Sequence, residues 1–259
     1  MSGRSIDPAD YQAVARPVAA MPKDFPAGSH VPLHRHARAQ LLYAARGVMC
    51  VSTPDGAWVV PPHRAVWIPP ETEHEIRMSG EVAMRTLYID PRASPGLPAR
   101  CTVLEVSPLL RELILAAMGE PLEYPHHSRG EAIATLVLHE IAAVEAEPLH
   151  LPMPRDPRLA AICRRVVERI GADETLDELA RDAGLSTRTL ARLFQRETGM
   201  NFLAWRQQAR LAEALTRLAA GQPSTVVAQD IGYASPSAFS AMFSRMLGTT
   251  PARYFNPPD

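Results

Sequence analysis

The sequence predicts two domains of different class: an all-β N-terminal barrel with helices at its C-terminal end, then an all-α domain built on two helix-turn-helix units. Three observations carry that prediction. Residues 1–100 consist of short apolar alternations punctuated by prolines, with no helical period. From Ser107 onward the apolar spacing becomes helical. Near the C-terminus one nine-residue pattern occurs twice, 49 positions apart: Ser186-Thr-Arg-Thr-Leu-Ala-Arg-Leu-Phe194 and Ser235-Pro-Ser-Ala-Phe-Ser-Ala-Met-Phe243.

A chain of 259 residues is long enough for two separate cores. Its 46% hydrophobic and 21% charged residues exclude a disordered polymer. No apolar run reaches the roughly 18–20 residues of a membrane span. The N-terminal Met-Ser-Gly-Arg-Ser-Ile-Asp-Pro lacks the apolar core of a secretory signal, so a cytoplasmic protein with no membrane partner is expected. Cys50, Cys101 and Cys163 are odd in number and set among apolar residues, which predicts buried free thiols. The net charge of −1 conceals an asymmetry. From Arg155 to the end there are 14 arginines against 11 carboxylates, whereas the preceding residues hold 13 basic and 17 acidic groups. Only the C-terminal part has the sign suited to phosphate.

In chain order, strands are predicted at 40–45, 48–53, 58–60, 64–68, 75–78 and 84–89, with Thr53-Pro-Asp-Gly56 as a tight turn. Ser107-Pro108 reads as an N-cap and first-turn pair, opening a helix whose apolar face is Leu109, Leu110, Leu113 and Ile114. A second helix is predicted over 130–147. The proline-rich stretch 148–157 reads as a linker, since proline breaks helices and keeps the chain extended. Helices follow at about 158–171, 176–197 as a helix-turn-helix, 201–220, and 224–247 as a second helix-turn-helix, with a last turn from Pro251. The predicted division is therefore 1–100 barrel, 101–147 helical dimerisation segment, 148–157 linker and 158–256 helical domain.

Each nine-residue pattern follows an Ala and then a Gly four residues later: Ala180 and Gly184, Ala228 and Gly232. The alanine lets two helices cross closely, and the glycine supplies the left-handed backbone that ends the first of them. This is the grammar of a device that places one helix in the DNA major groove. In the first unit Leu185, Leu190 and Leu193 point inward, leaving Thr187, Arg188, Ala191, Arg192 and Gln195 outward. Arg188 and Arg192 are i, i+4 neighbours suited to guanine or phosphate. In the second unit Pro236 takes the first helical position, and the outward face is Ser237, Ser240, Ala241 and Ser244 with Arg245 one turn on. The first unit is therefore expected to supply most base readout, and the second to hold the backbone.

The helical domain resembles the DNA-binding domain of the AraC/XylS family of bacterial transcription regulators over residues 158–256. The matching residues are Ala180, Gly184, Leu190, Phe194, Ala228, Ile231-Gly232-Tyr233, Ser235, Phe239, Phe243, Gly248 and the closing Thr250-Pro-Ala-Arg-Tyr254, with Phe255 where Arg is usual. The resemblance implies promoter DNA as partner and a helix at 202–218 that spaces two recognition helices about 34 Å apart. Arg206 and Arg210 on that helix become expected phosphate contacts. It also implies a homodimer, and contact with RNA polymerase if the protein activates.

Gly28-x5-His34-x-His36-x3-Gln40-x6-Gly47 is similar to the first motif of the cupins, with Gln40 where the ligating Glu usually stands. Pro69-x-Glu71-x-x-His74 matches part of the second motif. The resemblance implies a cupin-like effector barrel in which His34, His36, Gln40 and His74 converge. Three imidazoles suit zinc, nickel, copper or iron, with glutamine a weak fourth ligand. Two other readings remain open: polar contacts to a metal-free organic effector, or hydrogen-bonded strand residues. The segment from Trp58 to Pro69, with His34 to Tyr43, resembles an AraC subgroup that includes nitroimidazole-resistance regulators, repressors of neighbouring efflux transporters. Trp58 and Trp67 would then line the effector pocket or serve as core aromatics. His63, His126 and His127 have no ligand spacing and read as surface residues. The leading reading is a non-enzymatic DNA-binding regulator responding to a small molecule or metal. The alternative is a metal-dependent cupin enzyme, a dioxygenase or isomerase, with a helical appendage.

Overall fold

A computed structural model of the chain describes residues 5–61, 63–93, 96–144, 146–147 and 150–255. It divides into two compact units: residues 1–53 with 60–149, and residues 54–59 with 150–259. The strands are β1 (Val18–Phe25), β2 (His30–His34), β3 (Ala39–Thr53), β4 (Gly56–Val60), β5 (Arg64–Ile68), β6 (His74–Ile89), β7 (Thr102–Glu105), β8 (Ala146–Glu147) and β9 (His150–Pro152). The helices are α1 (Pro108–Ala117), α2 (Arg129–Ala143), α3 (Pro157–Glu168), α4 (Leu176–Asp182), α5 (Thr187–Thr198), α6 (Phe202–Ala219), α7 (Ser224–Asp230), α8 (Pro236–Leu247) and α9 (Pro251–Phe255).

In the first unit the antiparallel order is β1-β6-β3-β5-β7-β8, with β2 added to β6. The sheet does not close, so the expected barrel is an open sheet. Two pairs of predicted strands are single long ones. Residues 40–45 and 48–53 join in β3, and 75–78 and 84–89 join in β6. The predicted breaks are irregularities of register at Ala44–Val48, where the chain kinks without leaving the sheet. At that kink Gly47 has φ +82°, and a Cβ there would lie 2.3 Å from the Glu81 carbonyl oxygen. Strands β1, β2 and β7 add to the predicted set.

The helices α1 and α2 cover one side of this sheet. Ser107 caps α1 by accepting the Leu110 N–H at 3.0 Å, and Ser128 caps α2. Their apolar faces, Leu110, Leu113, Ile114, Ile133, Val137 and Ile141, bury against Leu41, Tyr43, Trp67, Leu87 and Ile89. The helix α2 ends at Ala143, short of the predicted 147, because residues 146–147 pair with β7 as β8. Leu109, expected on the apolar face of α1, is exposed.

The second unit is the helical set α3–α9 plus one strand pair. Of the predicted linker, residues 148 and 149 lie outside the described residues, 150–152 form β9, and Pro157 opens α3. Strand β9 pairs with β4 through Gly56↔Pro152, Ala57↔Leu151 and Trp58↔His150. The Trp58 and His150 rings stack at 4.5 Å, Arg155 pairs with Asp55 at 2.8 Å, and the Trp205 indole N–H donates to the Pro152 carbonyl at 2.8 Å. The six-residue tip 54–59 thus belongs with the helices. Cys163 is buried, and burial pushes its thiol up to about 12; Cys50 and Cys101 are only half-buried, a correction to the expectation for them. No described helix is long and apolar enough to cross a membrane.

Gly47→Ala combines a left-handed backbone with a direct clash. It is expected to lower unfolding stability by more than about 1–3 kcal/mol, read as a fall in urea midpoint at constant m-value.

Candidate functional site

The two recognition helices, α5 and α8, are built alike. The Ser186 hydroxyl accepts the Thr189 N–H and the Ser235 hydroxyl the Ala238 N–H, each at 3.2 Å. Such caps stabilise by about 1 kcal/mol each. Gly184 and Gly232 in the two turns have φ +66° and +84°, the left-handed region predicted for them. Buried sides match too: Leu190, Leu193 and Phe194 in α5; Phe239, Met242 and Phe243 in α8. Leu185, expected inward, is half-buried.

Their outward faces differ. On α5, Arg188, Ala191, Arg192 and Gln195 are exposed, while Thr187 is half-covered and donates its hydroxyl to Asp177 at 2.5 Å. Gln195 donates to the Gly199 carbonyl at 3.0 Å. On α8, Pro236, Ser237, Ala241 and Arg245 are exposed, and Ser240 and Ser244 half-buried. Many arginines of this unit are held by carboxylates: Arg165 by Glu174 and Asp182, Arg169 by Glu174, and Arg217 by Glu213 and Asp230. Arg188, Arg192 and Arg245 make no ion pair among the described residues. Their charge is therefore available to a phosphate or a guanine edge.

Arg206 and Arg210 face another task. Arg206 donates to the Glu174 carbonyl at 3.0 Å, pairs with Asp173 at 3.4 Å and lies over the Phe202 ring. Arg210 donates to the carbonyls of Ile170 and Ala172 and lies over Tyr233, and burial lowers its pKa. Both tie the α3–α4 connection to α6.

In the first unit, His34, His36 and His74 offer nitrogens that all lie within 4.8 Å of one another. Strand pairing sets His34 opposite His74, and the rings are 4.3 Å apart. His34 donates its Nδ1–H to the Pro32 carbonyl at 2.7 Å, and His74 its own to the Thr72 carbonyl at 2.8 Å. Each therefore presents Nε2 as a bare lone pair. The Nε2 atoms of His36 and His74 are buried without a partner among the described residues, as is the Gln40 Oε1. Burial, reinforced by the neighbouring imidazoles, lowers the pKa of His36 to about 4. Burial likewise lowers His74 to about 4, against the opposing pull of the Thr72 carbonyl. Both are neutral at pH 7. Neutral imidazole nitrogens this close together suit a cation, and the three histidines can form a metal site.

Tyr88 was missing from the predicted set. It stands opposite Gln40 across β3 and β6, accepts the Gln40 Nε2–H at 3.4 Å, and meets the His36 ring edge-on at 5.1 Å. No motif marks it, because its place depends on strand register. The two tryptophans do not share a pocket in either unit. Trp58 stacks on His150 in the second unit, whereas Trp67 is buried in the first and donates to the Pro98 carbonyl at 2.8 Å. Trp67 also borders a cavity of about 300 Å³ with Pro69, Pro70, Leu97 and Pro98. His63, His126 and His127 are exposed.

An open sheet carrying a histidine cluster, followed by two matched helix-turn-helix units, defines a ligand-binding domain coupled in sequence to a DNA-binding one. Residues 23–191 match the AraC-like ligand binding domain family, and residues 179–256 a helix-turn-helix domain family. The chain is 34% identical over 223 residues to the HTH-type transcriptional regulator NimR of Escherichia coli K12, covering 86% of this chain and 81% of that one. It is 35% identical over 122 residues to the RCS-specific HTH-type transcriptional activator RclR of the same organism, 46% of this chain and 43% of the relative. Among solved structures, the DNA-binding domain of AdpA in complex with a target DNA aligns at 32% identity and a TM-score of 0.36, over 39% of this chain and 91% of that one. The chain belongs to the AraC family of HTH-type transcriptional regulators.

If Arg210 serves as a tie, Arg210→Met is expected to lower stability by about 1–3 kcal/mol in denaturant melts. The salt dependence of DNA binding should not change, whereas loss of a phosphate contact would reduce its slope by about one.

Proposed function

We propose that this DNA-binding transcription regulator is switched by a divalent transition metal, zinc, nickel, copper or iron, held by His34, His36, His74 and Gln40. The observation that carries this reading is the grouping of His34, His36 and His74 nitrogens within 4.8 Å of one another, with His34 and His74 held through their Nδ1 atoms so that Nε2 is left for a ligand. When bound, the metal would supply a compact positive charge tying β2, β3 and β6 together. It switches transcription only if its affinity differs between two states of the protein.

On the DNA side, α5 reads bases through Arg188 and Arg192 while α8 and Arg245 hold the backbone. The unpaired arginines support this, as does the serine-rich face of α8. Thr187, half-covered and bonded to Asp177, positions the start of α5, and Arg206 and Arg210 keep α6 in place. The resemblance to efflux-regulating relatives supports a neighbouring transporter gene as target. The exposed Leu109 and Leu136 on α1 and α2 support a homodimer formed through that face. The protein works in the cytoplasm without enzymatic turnover, and no carboxylate joins the imidazoles among the described residues.

Metal analysis of protein purified in its native state should find about one equivalent per chain, and His74→Ala should bring it to background. Equal metal content in the two would refute the site. In binding titrations, Arg188→Ala and Arg192→Ala should each cost about 1–3 kcal/mol of operator discrimination. Ser237→Ala should leave discrimination within about 0.5 kcal/mol of the parent.

A further inference from the structure

Gln40 is the weak point of the histidine site. A carboxamide has one accepting end and one donating end, and only the oxygen can face a cation. A half-turn of the side chain would present NH2 to the site and repel the ion. Something must select the productive orientation, and among the described residues the hydrogen-bond partner of the Gln40 side chain is Tyr88.

We infer that Tyr88 is a positioning residue of this site, holding the Gln40 carboxamide so that its oxygen stays free for the ion. The inference rests on the metal reading proposed above. Gln40 and Tyr88 are 2% and 1% exposed, so water cannot take over the bond. The Gln40 Nε2–H donates to the Tyr88 hydroxyl oxygen, and the Oε1 is left without a partner. With no acceptor at position 88, the orientation that offers oxygen to the ion would strand a buried NH2, and binding would have to overcome that loss. The Tyr88 ring is fixed from two sides, by His36 at 5.1 Å and by Tyr11 at 5.6 Å. Its hydroxyl oxygen is therefore held where it accepts the Gln40 N–H, and orienting partners of this kind typically change metal affinity by 10–100-fold.

The test is a Co(II) titration of the metal-free full chain, followed by visible absorption, with His74→Ala as the control for the site itself. Tyr88→Phe is expected to weaken Co(II) binding roughly 10–100-fold and to give the spectrum of Gln40→Met. Added to Gln40→Met, it should change affinity by less than about twofold, because the two residues act through one ligand. Gln40→Glu added to Tyr88→Phe should restore tight binding, since a carboxylate presents oxygen in either orientation. Thermal melts of the metal-free proteins separate lost orientation from lost fold. Tyr88→Leu, also without an acceptor, provides the same comparison if the phenylalanine variant is unstable. Wild-type affinity and spectrum in Tyr88→Phe, or losses that multiply in the double variant, would overturn the role of Tyr88 and leave the metal site standing. A wild type that takes up no Co(II), or takes it up equally after His74→Ala, would instead remove the metal reading and this inference together.

Discussion

The sixteen-residue strand β6 pairs with β1, β2 and β3, and a slip of one residue would turn every side chain on β6 to the opposite face. The histidine cluster depends on that pairing. It sets His74 across from His34 and, fourteen residues further along, Tyr88 across from Gln40. The same strand buries Leu87 and Ile89 under α1 and α2, so the core that stabilises the unit also fixes its register. Gathering three imidazoles leaves the Nε2 atoms of His36 and His74 buried without a partner among the described residues. A fold tolerates this only where packing elsewhere holds the groups in place.

The helical unit follows another principle, a shared scaffold with unequal faces. Serine caps, left-handed turn glycines and matched buried residues make α4–α5 and α7–α8 nearly interchangeable as packing units. Outside, α5 carries the unpaired guanidiniums of Arg188 and Arg192, whereas α8 carries serines and an alanine with Arg245 alone near its far end. The distribution of counter-ions sharpens the difference. Carboxylates hold Arg165, Arg169 and Arg217, which lie away from the outward faces, and leave Arg188 and Arg192 unpaired. A modest net charge can therefore concentrate at one place on the surface.

Much of this was legible in the sequence. Helix starts were written in Ser107, Ser186 and Ser235, because a cap is a local hydrogen bond between neighbours. The convergence of His34, His36 and His74 was legible through motif spacing. Tyr88 was not, since its role arises from pairing with a residue 48 positions away. Closure of the sheet was also out of reach: alternation reveals that strands exist, not whether the first and last meet. The carbonyl partners of Arg206 and Arg210 were not legible, because they lie 32 to 40 positions away in the chain. The continuity of β3 and β6 was not legible: left-handed backbone at Gly47 and Gly80 interrupts the alternation within each strand without ending it.

The hairpin tip 54–59 has a consequence for the history of such a chain. The backbone passes between the two units at 53–54, at 59–60 and again at 149–150. A gene segment beginning at 150 would encode α3–α9 but leave β9 without β4, Arg155 without Asp55 and His150 without Trp58. Exchange of this DNA-reading half by a single recombination event would therefore carry a bare strand edge into its new host. A clean exchange would have to bring the 54–59 hairpin tip along with the helices.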